Sequence, residues 1–476
     1  MSHIEFDQIA PEDIVPIKIK LGFASTAFGS QLVHGIFMIS TLFYYREIML
    51  LQEIYIIIAF GLYAIWNAIN DPLFGWLSDR TSTRWGRRIP YYWIFTPMMT
   101  ISFILLWVSP TVEVIGQIGV FFWLLLFLCL YDTAFTATLL VWSALGQELS
   151  MDHRERASIQ VYSLMFAVPG TLAALLLPML FLAGAGREGF IFISIILGIL
   201  QFIFMMITAI TVKEKLEFSQ VDKPLGLKDS LKHTFKSKSF IITVAMNFWL
   251  IFTQAVLFAN LYFYTSYVFP GSDPFLILIV TVSLILIGLA VGTFYTVKVN
   301  EKKGVKTAMI RSIFWQAVGF LLIGILPGFL ALLGFFFVGM GLYGAMSLFN
   351  AAFGEVCDED EVKTGTRREA AIFGTNALIT KPAESFAGMF IAFMLLVFLY
   401  QQPIGGVQQV QSDFTILGIK TAMGIVPAVV LFLSLLIYKF SPLHGQYLKE
   451  IKTKISHMHE EKREKLKQIT SKQIKN

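Results

Sequence analysis

Hydrophobic residues along this chain come in long runs of about twenty, separated by short polar stretches, rather than at the spacing of a half-buried surface helix. A bilayer-spanning helix needs about 20 mostly apolar residues, because lipid offers its backbone N–H and C=O groups no partners. Twelve runs meet that requirement. They cover approximately Gly22 to Tyr45, Glu53 to Leu77, Tyr91 to Val108, Ile115 to Trp142, Ala157 to Leu182 and Phe190 to Val212 in the first part of the chain. The second part adds Phe240 to Tyr267, Pro274 to Thr296, Ile310 to Leu330, Leu332 to Phe353, Ala371 to Tyr400 and Phe414 to Tyr438. The pattern predicts an all-α polytopic membrane protein of twelve helices, multi-pass in the cell membrane.

Basic residues fall in alternate connections, as they do on the cytoplasmic side of membrane proteins. Arg84, Arg87 and Arg88 follow the second run, His153, Arg154 and Arg156 the fourth, and Lys302, Lys303 and Lys306 the eighth. The remaining connections, such as PGSDP near Pro270, are short or uncharged. Both termini are therefore expected in the cytoplasm. A Lys-rich connection divides the runs six and six. The expected organisation is an N-terminal half over 1–212, with 1–20 as a cytoplasmic segment, a linker over 213–239, a C-terminal half over 240–440 and a basic tail over 441–476. The tail reads as a solvated or lipid-facing helix drawn to anionic headgroups.

Composition agrees: 56% of residues are hydrophobic and 14% charged, and the mean hydropathy is +0.69. The net charge of +5 is explained by topology and needs no nucleic acid. The N-terminus has no basic and apolar signal-peptide pattern. The two cysteines, Cys129 and Cys357, support neither a disulfide framework nor a zinc site and read as packing residues. The few histidines form no HExxH, no cysteine stands near a catalytic partner, and no ATP-binding loop is present, so an enzyme is not expected. No obligate protein partner is evident.

Against this background the stretch IWNAINDPLFGW, Ile65 to Trp76, places Asp71 with Asn67 and Asn70 inside an apolar run. An intramembrane carboxylate is costly and marks an ion or proton pathway. Asn67 and Asp71 are one helical turn apart and share a face. Their oxygens suit a hard cation, whereas a desolvated carboxylate also suits a proton. The structural alternative is that Asp71, before Pro72, satisfies backbone loosened at a kink.

GWLSDRTSTRWGRR, with Asp79, Arg80, Arg87 and Arg88, resembles the cytoplasmic loop signature of the major facilitator superfamily. Within it, GFASTAFGSQLVHGIF, WNAINDPLFGW, VWSALGQELSMDHRER and EVCDEDEVKTGTRREAA leading to NALITKP resemble the glycoside-pentoside-hexuronide:cation symporters, whose best-known member is the melibiose permease. The resemblance implies two six-helix halves, alternating access around a central site, and cation-coupled symport of a small organic solute, a sugar or glycoside being the family's usual type. It places Asn67 and Asp71 on two acidic residues of the permease's cation site, one of them an amide here. Thr138 stands where a fourth-helix acid is expected, with Asp132 about two turns earlier as a second charge. For the solute, Gln31 stands at the family's galactoside-binding acid, Trp142 at its sugar-packing tryptophan, Asn376 at another polar contact and Lys381 at a matching lysine. Lys381 is equally placed to pair with Asp71 or with Glu384. No cofactor is implied beyond Na⁺ or H⁺ as coupling ion.

Glu355, Asp358 and Glu361 keep the family's acidic pattern, and with Arg367, Asp79, Arg80, Arg84, Arg87 and Arg88 they read as a cytoplasmic gate of ion pairs. The alternative function is an uncoupled facilitator, or a transporter of an amphipathic lipid-like solute.

Overall fold

The computed structural model describes residues 14–80, 88–149, 153–212, 235, 237–365, 369–404 and 408–458. They are overwhelmingly helical. In chain order the helices are α1 (Ile17–Phe43), α2 (Glu53–Arg80), α3 (Ile89–Trp107), α4 (Val112–Glu148), α5 (His153–Thr211), α6 (Lys238–Tyr267), α7 (Pro274–Ile325) and α8 (Leu333–Thr364). After these come α9 (Glu369–Thr380), α10 (Pro382–Val397), α11 (Asp413–Lys420), α12 (Val426–Lys439) and a tail helix, α13, over 445–458. Ten stretches among the described residues are long and apolar enough to cross a membrane.

Two expected breaks are present as single glycines. Within α5, Gly186 has a left-handed φ of 58° between the apolar spans Ser158–Phe181 and Gly186–Thr211, and α7 covers 52 residues as two helices that meet at Gly304. A straight helix of 52 residues would be roughly 78 Å long at about 1.5 Å per residue, more than twice the ~30 Å core of a bilayer. α7 instead kinks at Gly304, whose φ of 79° and ψ of 170° lie outside the helical region. Glycine alone adopts such a conformation without strain.

The chain forms two compact units. The first comprises Met1–Lys223, Ala255–Ile279 and Glu384–Ile419, the second Pro224–Gln254, Val280–Ala383 and Lys420–Asn476.

In the first unit α1 lies along α5, α2 and α3 pack on α4, and α3 also meets α5. The α1–α5 approach is close enough that a Cβ on Gly170 would stand 2.7 Å from the Phe28 carbonyl oxygen. Small residues permit such contact where no hydrophobic force drives helices together in lipid. Hydroxyls supply further links: Thr208 Oγ1 is 3.1 Å from Ser25 Oγ and 2.7 Å from Thr26 Oγ1, which is 3.2 Å from the Tyr92 hydroxyl. At one end, buried Arg46 pairs with Glu53 and lies 4.9 Å from the centre of the Tyr400 ring. Buried Glu47 accepts hydrogen bonds from Tyr267 and Tyr400, whose hydroxyls are 2.7 Å apart. At the other, Lys20 pairs with Glu155 at 2.8 Å.

In the second unit Phe240, Phe353, Val356, Cys357 and Ile372 form a core into which Leu443, Ile451 and Ile455 also pack. The tail expected to be solvated or lipid-facing is thus held to protein over 445–458. Its apolar positions Ile451 and Ile455, one turn apart, give it a face to bury, while Lys449, Lys452 and Lys454 stay exposed.

Candidate functional site

The two faces of α2 place the site. Ile58, Leu62, Ile65, Ile69 and Leu73 recur every three or four residues and are 43–61% exposed, an apolar stripe suited to lipid. On the opposite face Tyr63, Asn67 and Asn70 are buried. A helix polar on its inner face and apolar outside gathers its chemistry within the bundle.

What that face meets is Asp132 of α4. The Tyr63 hydroxyl donates to Asp132 Oδ1 at 3.1 Å and Asn70 Nδ2 to Asp132 Oδ2 at 2.8 Å, so each carboxylate oxygen holds a donor from α2. Asp132 is 6% exposed, and all these residues belong to apolar stretches long enough to span a bilayer. A buried carboxylate persists only where its charge is met in this way. Asn67 Nδ2 donates to Ser385 Oγ of α10 at 3.4 Å, and Trp66 Nε1 to Thr133 Oγ1 at 3.0 Å.

A second group adjoins the first. His34 Nε2 of α1 lies 4.0 Å from Glu384 Oε2 of α10, and its ring stacks on Phe135 at 4.5 Å between centroids. Glu384 and Tyr63 line a small, partly open cavity of about 20 Å³, walled by Phe37, Met38, Leu42 and Phe60. Two buried oxygens of the cluster, Asn70 Oδ1 and the Tyr131 hydroxyl, have no hydrogen-bond partner among the described residues.

Of the residues singled out from sequence, Asn67, Asn70 and Asp132 are thus brought together. Asp71 lies in α2 one turn beyond Asn67, with its side chain outside the described residues. The others stand elsewhere. Thr138 Oγ1 donates within α4 to the Ala134 carbonyl at 2.8 Å. Trp142 donates to the Phe23 carbonyl at 3.0 Å and stacks on the Phe23 ring at 4.9 Å, a helix-packing position. Gln31 Oε1 is 3.5 Å from Thr171 Oγ1. In the second unit Asn376 accepts from Asn247 at 3.1 Å, and Lys381 occupies the break between α9 and α10.

Of the gate residues, Arg84, Arg87, Arg367 and the side chains of Asp79 and Arg80 lie outside the described residues; Arg88 immediately precedes α3. Glu355 Oε1 meets Lys452 of the tail at 3.7 Å, while Asp358 is partly buried and Glu361 fully buried. Glu359, which the sequence reading passed over, accepts from Lys363 at 2.6 Å and from Tyr447 of the tail at 2.7 Å. Burial raises the Glu355 pKa, Lys452 only partly offsetting it. Burial also opposes ionisation of Glu359, but hydrogen bonds from Lys363 and Tyr447 help to outweigh it and hold its pKa below the usual carboxylate range.

His34, Tyr63 and Glu384 were not singled out as site residues. The available signal was the same as for Asp71: ionisable or hydrogen-bonding groups inside apolar runs.

A family model described as MFS/sugar transport protein matches residues 22–445. The chain belongs to the MFS/sugar transport family. Along its full length this family member is similar to the inner membrane symporter YicJ of Escherichia coli (strain K12), at 22% identity over 98% of this chain and 99% of that one. A shorter stretch, 27% of the chain and 24% of the relative, is 33% identical to the sodium-dependent lysophosphatidylcholine symporter 1-B of Danio rerio. Among solved structures, a bacterial homologue of the human lysosomal transporter Spinster, inward-facing and unoccupied, superposes with a TM-score of 0.63 at 12% identity, covering 89% of this chain and 96% of that one. This MFS/sugar transport protein therefore has the major facilitator fold. It is a multi-pass membrane transporter and not an enzyme.

Proposed function

We propose that the protein is a secondary active transporter that couples entry of a cation, Na⁺ or H⁺, to symport of a small organic solute by alternating access. The observation that carries this is the polar cluster inside the first unit: two carboxylates, Asp132 and Glu384, one imidazole and two amides, in segments otherwise built for lipid. Such groups within a membrane are expensive and are kept for ion or proton pathways. Asp71, Asn67, Asn70 and Asp132 take the cation-coupling role, with Thr138 as a neighbouring hydroxyl of α4. Gln31, Trp142, Asn376 and Lys381 are proposed on the solute side. YicJ and the lysophosphatidylcholine symporter, both symporters by name, support coupling.

With α7 counted as two spans that meet at Gly304 and α8 as one more beside the other nine stretches, the proposed organisation is twelve crossings in two halves, 1–212 and 240–440, with both termini cytoplasmic. Glu355, Asp358 and Glu361, with Asp79, Arg80, Arg84, Arg87, Arg88 and Arg367, are the proposed cytoplasmic gate.

A second reading, an amphipathic lipid-like solute, is favoured by the apolar wall of Phe37, Met38, Leu42 and Phe60 and by the lysophosphatidylcholine relative. The test is uptake by proteoliposomes holding the purified full chain, with labelled hexosides, pentosides and lysophospholipids offered in turn under an inward Na⁺ or H⁺ gradient. Gradient-driven accumulation that Asp132→Asn abolishes supports coupling. Equilibration without accumulation of every solute transported sinks it in favour of facilitated transport.

A further inference from the structure

We propose that the coupling ion is a proton, and that it binds at Glu384, which faces His34 and connects through Tyr63 to Asp132. This rests on the coupled-symport reading above and names its ion and the side chains that take it. His34 Nε2 stands 4.0 Å from Glu384 Oε2. A hard cation gathers about six oxygen ligands, whereas the group that faces Glu384 here is an imidazole nitrogen. Carboxylate and imidazole together share and pass a proton, and imidazole is the side chain whose ordinary charge change falls near neutral pH.

Asp132 is disposed likewise. Its two oxygens accept from Tyr63 at 3.1 Å and Asn70 at 2.8 Å, so they point at donor hydrogens rather than standing open to a metal. Tyr63 and Glu384 line one cavity, large enough for a water molecule. Among the described residues, the titratable groups near the cluster are His34 from α1, Tyr63 from α2, Cys129, Tyr131 and Asp132 from α4 and Glu384 from α10; Ala259 of α6 also lines the cavity.

Among the described residues two carboxylates thus confront one imidazole, and the cluster gains by taking up a proton. The proton forms an O–H bond at Glu384 Oε2. It arrives either from water through the cavity or from N–H of protonated His34, which returns to the neutral ring. The Phe135 ring stacked on His34 fixes the imidazole plane so that this exchange has a defined geometry.

The test needs no solute. Infrared difference spectra of the full chain in liposomes are recorded against pH at constant ionic strength, in K⁺ and then in Na⁺ buffer, for wild type, Glu384→Gln, His34→Gln and Asp132→Asn, each first shown to be monodisperse. The expected result is a carboxylic-acid carbonyl band that appears as pH falls, is lost in Glu384→Gln and moves its midpoint by about one pH unit in His34→Gln. It should be the same in Na⁺ and K⁺. A band that survives Glu384→Gln, or that Na⁺ suppresses, overturns the proposal while leaving cation-coupled symport standing. If Glu384→Gln is not monodisperse, an unmoved midpoint in His34→Gln is the overturning result. Equilibration without accumulation of every solute transported, in the uptake assay above, would instead remove the coupled reading itself.

Discussion

Asp132 shows at one residue how fold and chemistry are tied. Its carboxylate joins α2 to α4 through Tyr63 and Asn70, so any change there has both a structural and a functional cost. Asn70→Leu leaves one oxygen of a buried carboxylate without its donor. The expected loss is about 1–3 kcal/mol, the cost of an unmet buried polar group, read as a lower thermal midpoint of the detergent-purified protein. An unchanged midpoint would mean that water replaces the amide. Glu355 and Glu359 offer a paired comparison. Glu359, with its pKa held below the usual range, contributes stability above the carboxylate's ordinary value that is lost as pH falls through its folded value. Glu355, with its pKa raised, behaves oppositely: its contribution is fully present at low pH and is lost as pH rises. At neutral pH, Glu359→Gln should therefore lower the thermal midpoint and Glu355→Gln should raise it. Two shifts of the same sign would contradict these environments.

Helices were the most legible part of the molecule, because the bilayer demands a run of about twenty apolar residues whatever else the segment does. Their ends were not. The connection expected between Leu182 and Phe190 contracts to a break at Gly186, whose φ of 58° is left-handed. The loop expected between Thr296 and Ile310 contracts to Gly304. Asn67, Asn70 and Asp132 were readable as polar intrusions within their own runs. The pairing of His34 with Glu384 was not, because it joins the first helix to a segment near the end of the chain, and nothing local in either run specifies the other. The stacking of Trp142 on Phe23 likewise joins two distant segments and has no local signature in either run. At this scale the α1–α5 contact makes its own prediction. Gly170→Leu would drive a side chain into the Phe28 carbonyl, so the variant should be destabilised by more than about 1–3 kcal/mol, the usual cost of overpacking. Its yield of monodisperse protein should fall sharply, and a wild-type yield would show that the two helices can separate at that level.

The molecule as a whole must move if access alternates. Arg46, Glu47, Glu53, Tyr267 and Tyr400 tie the ends of α1, α2 and α6 to the segment after α10. These belong to both proposed halves, so this network must break when that end opens. Hydrogen bonds to a charged group are worth about 1.5–3 kcal/mol each. Glu47→Gln should therefore shift the balance toward the opened state by roughly tenfold or more, seen as a longer spin-label distance between positions 50 and 399 in liposomes. A distance distribution identical to wild type would exclude this network as a latch.

The docked tail also bears on synthesis. Tyr447 reaches Glu359 across 88 residues of chain, so the acid is made and inserted well before its partner exists, by several seconds at about 5–20 residues per second. During that interval the second unit waits with a carboxylate short of a donor and with the surface later covered by Ile451 and Ile455 open to solvent. Emergence of α13 from the ribosome thus completes this core of the second unit, and a product truncated before α13 would present cellular quality control with an unfinished surface on that unit.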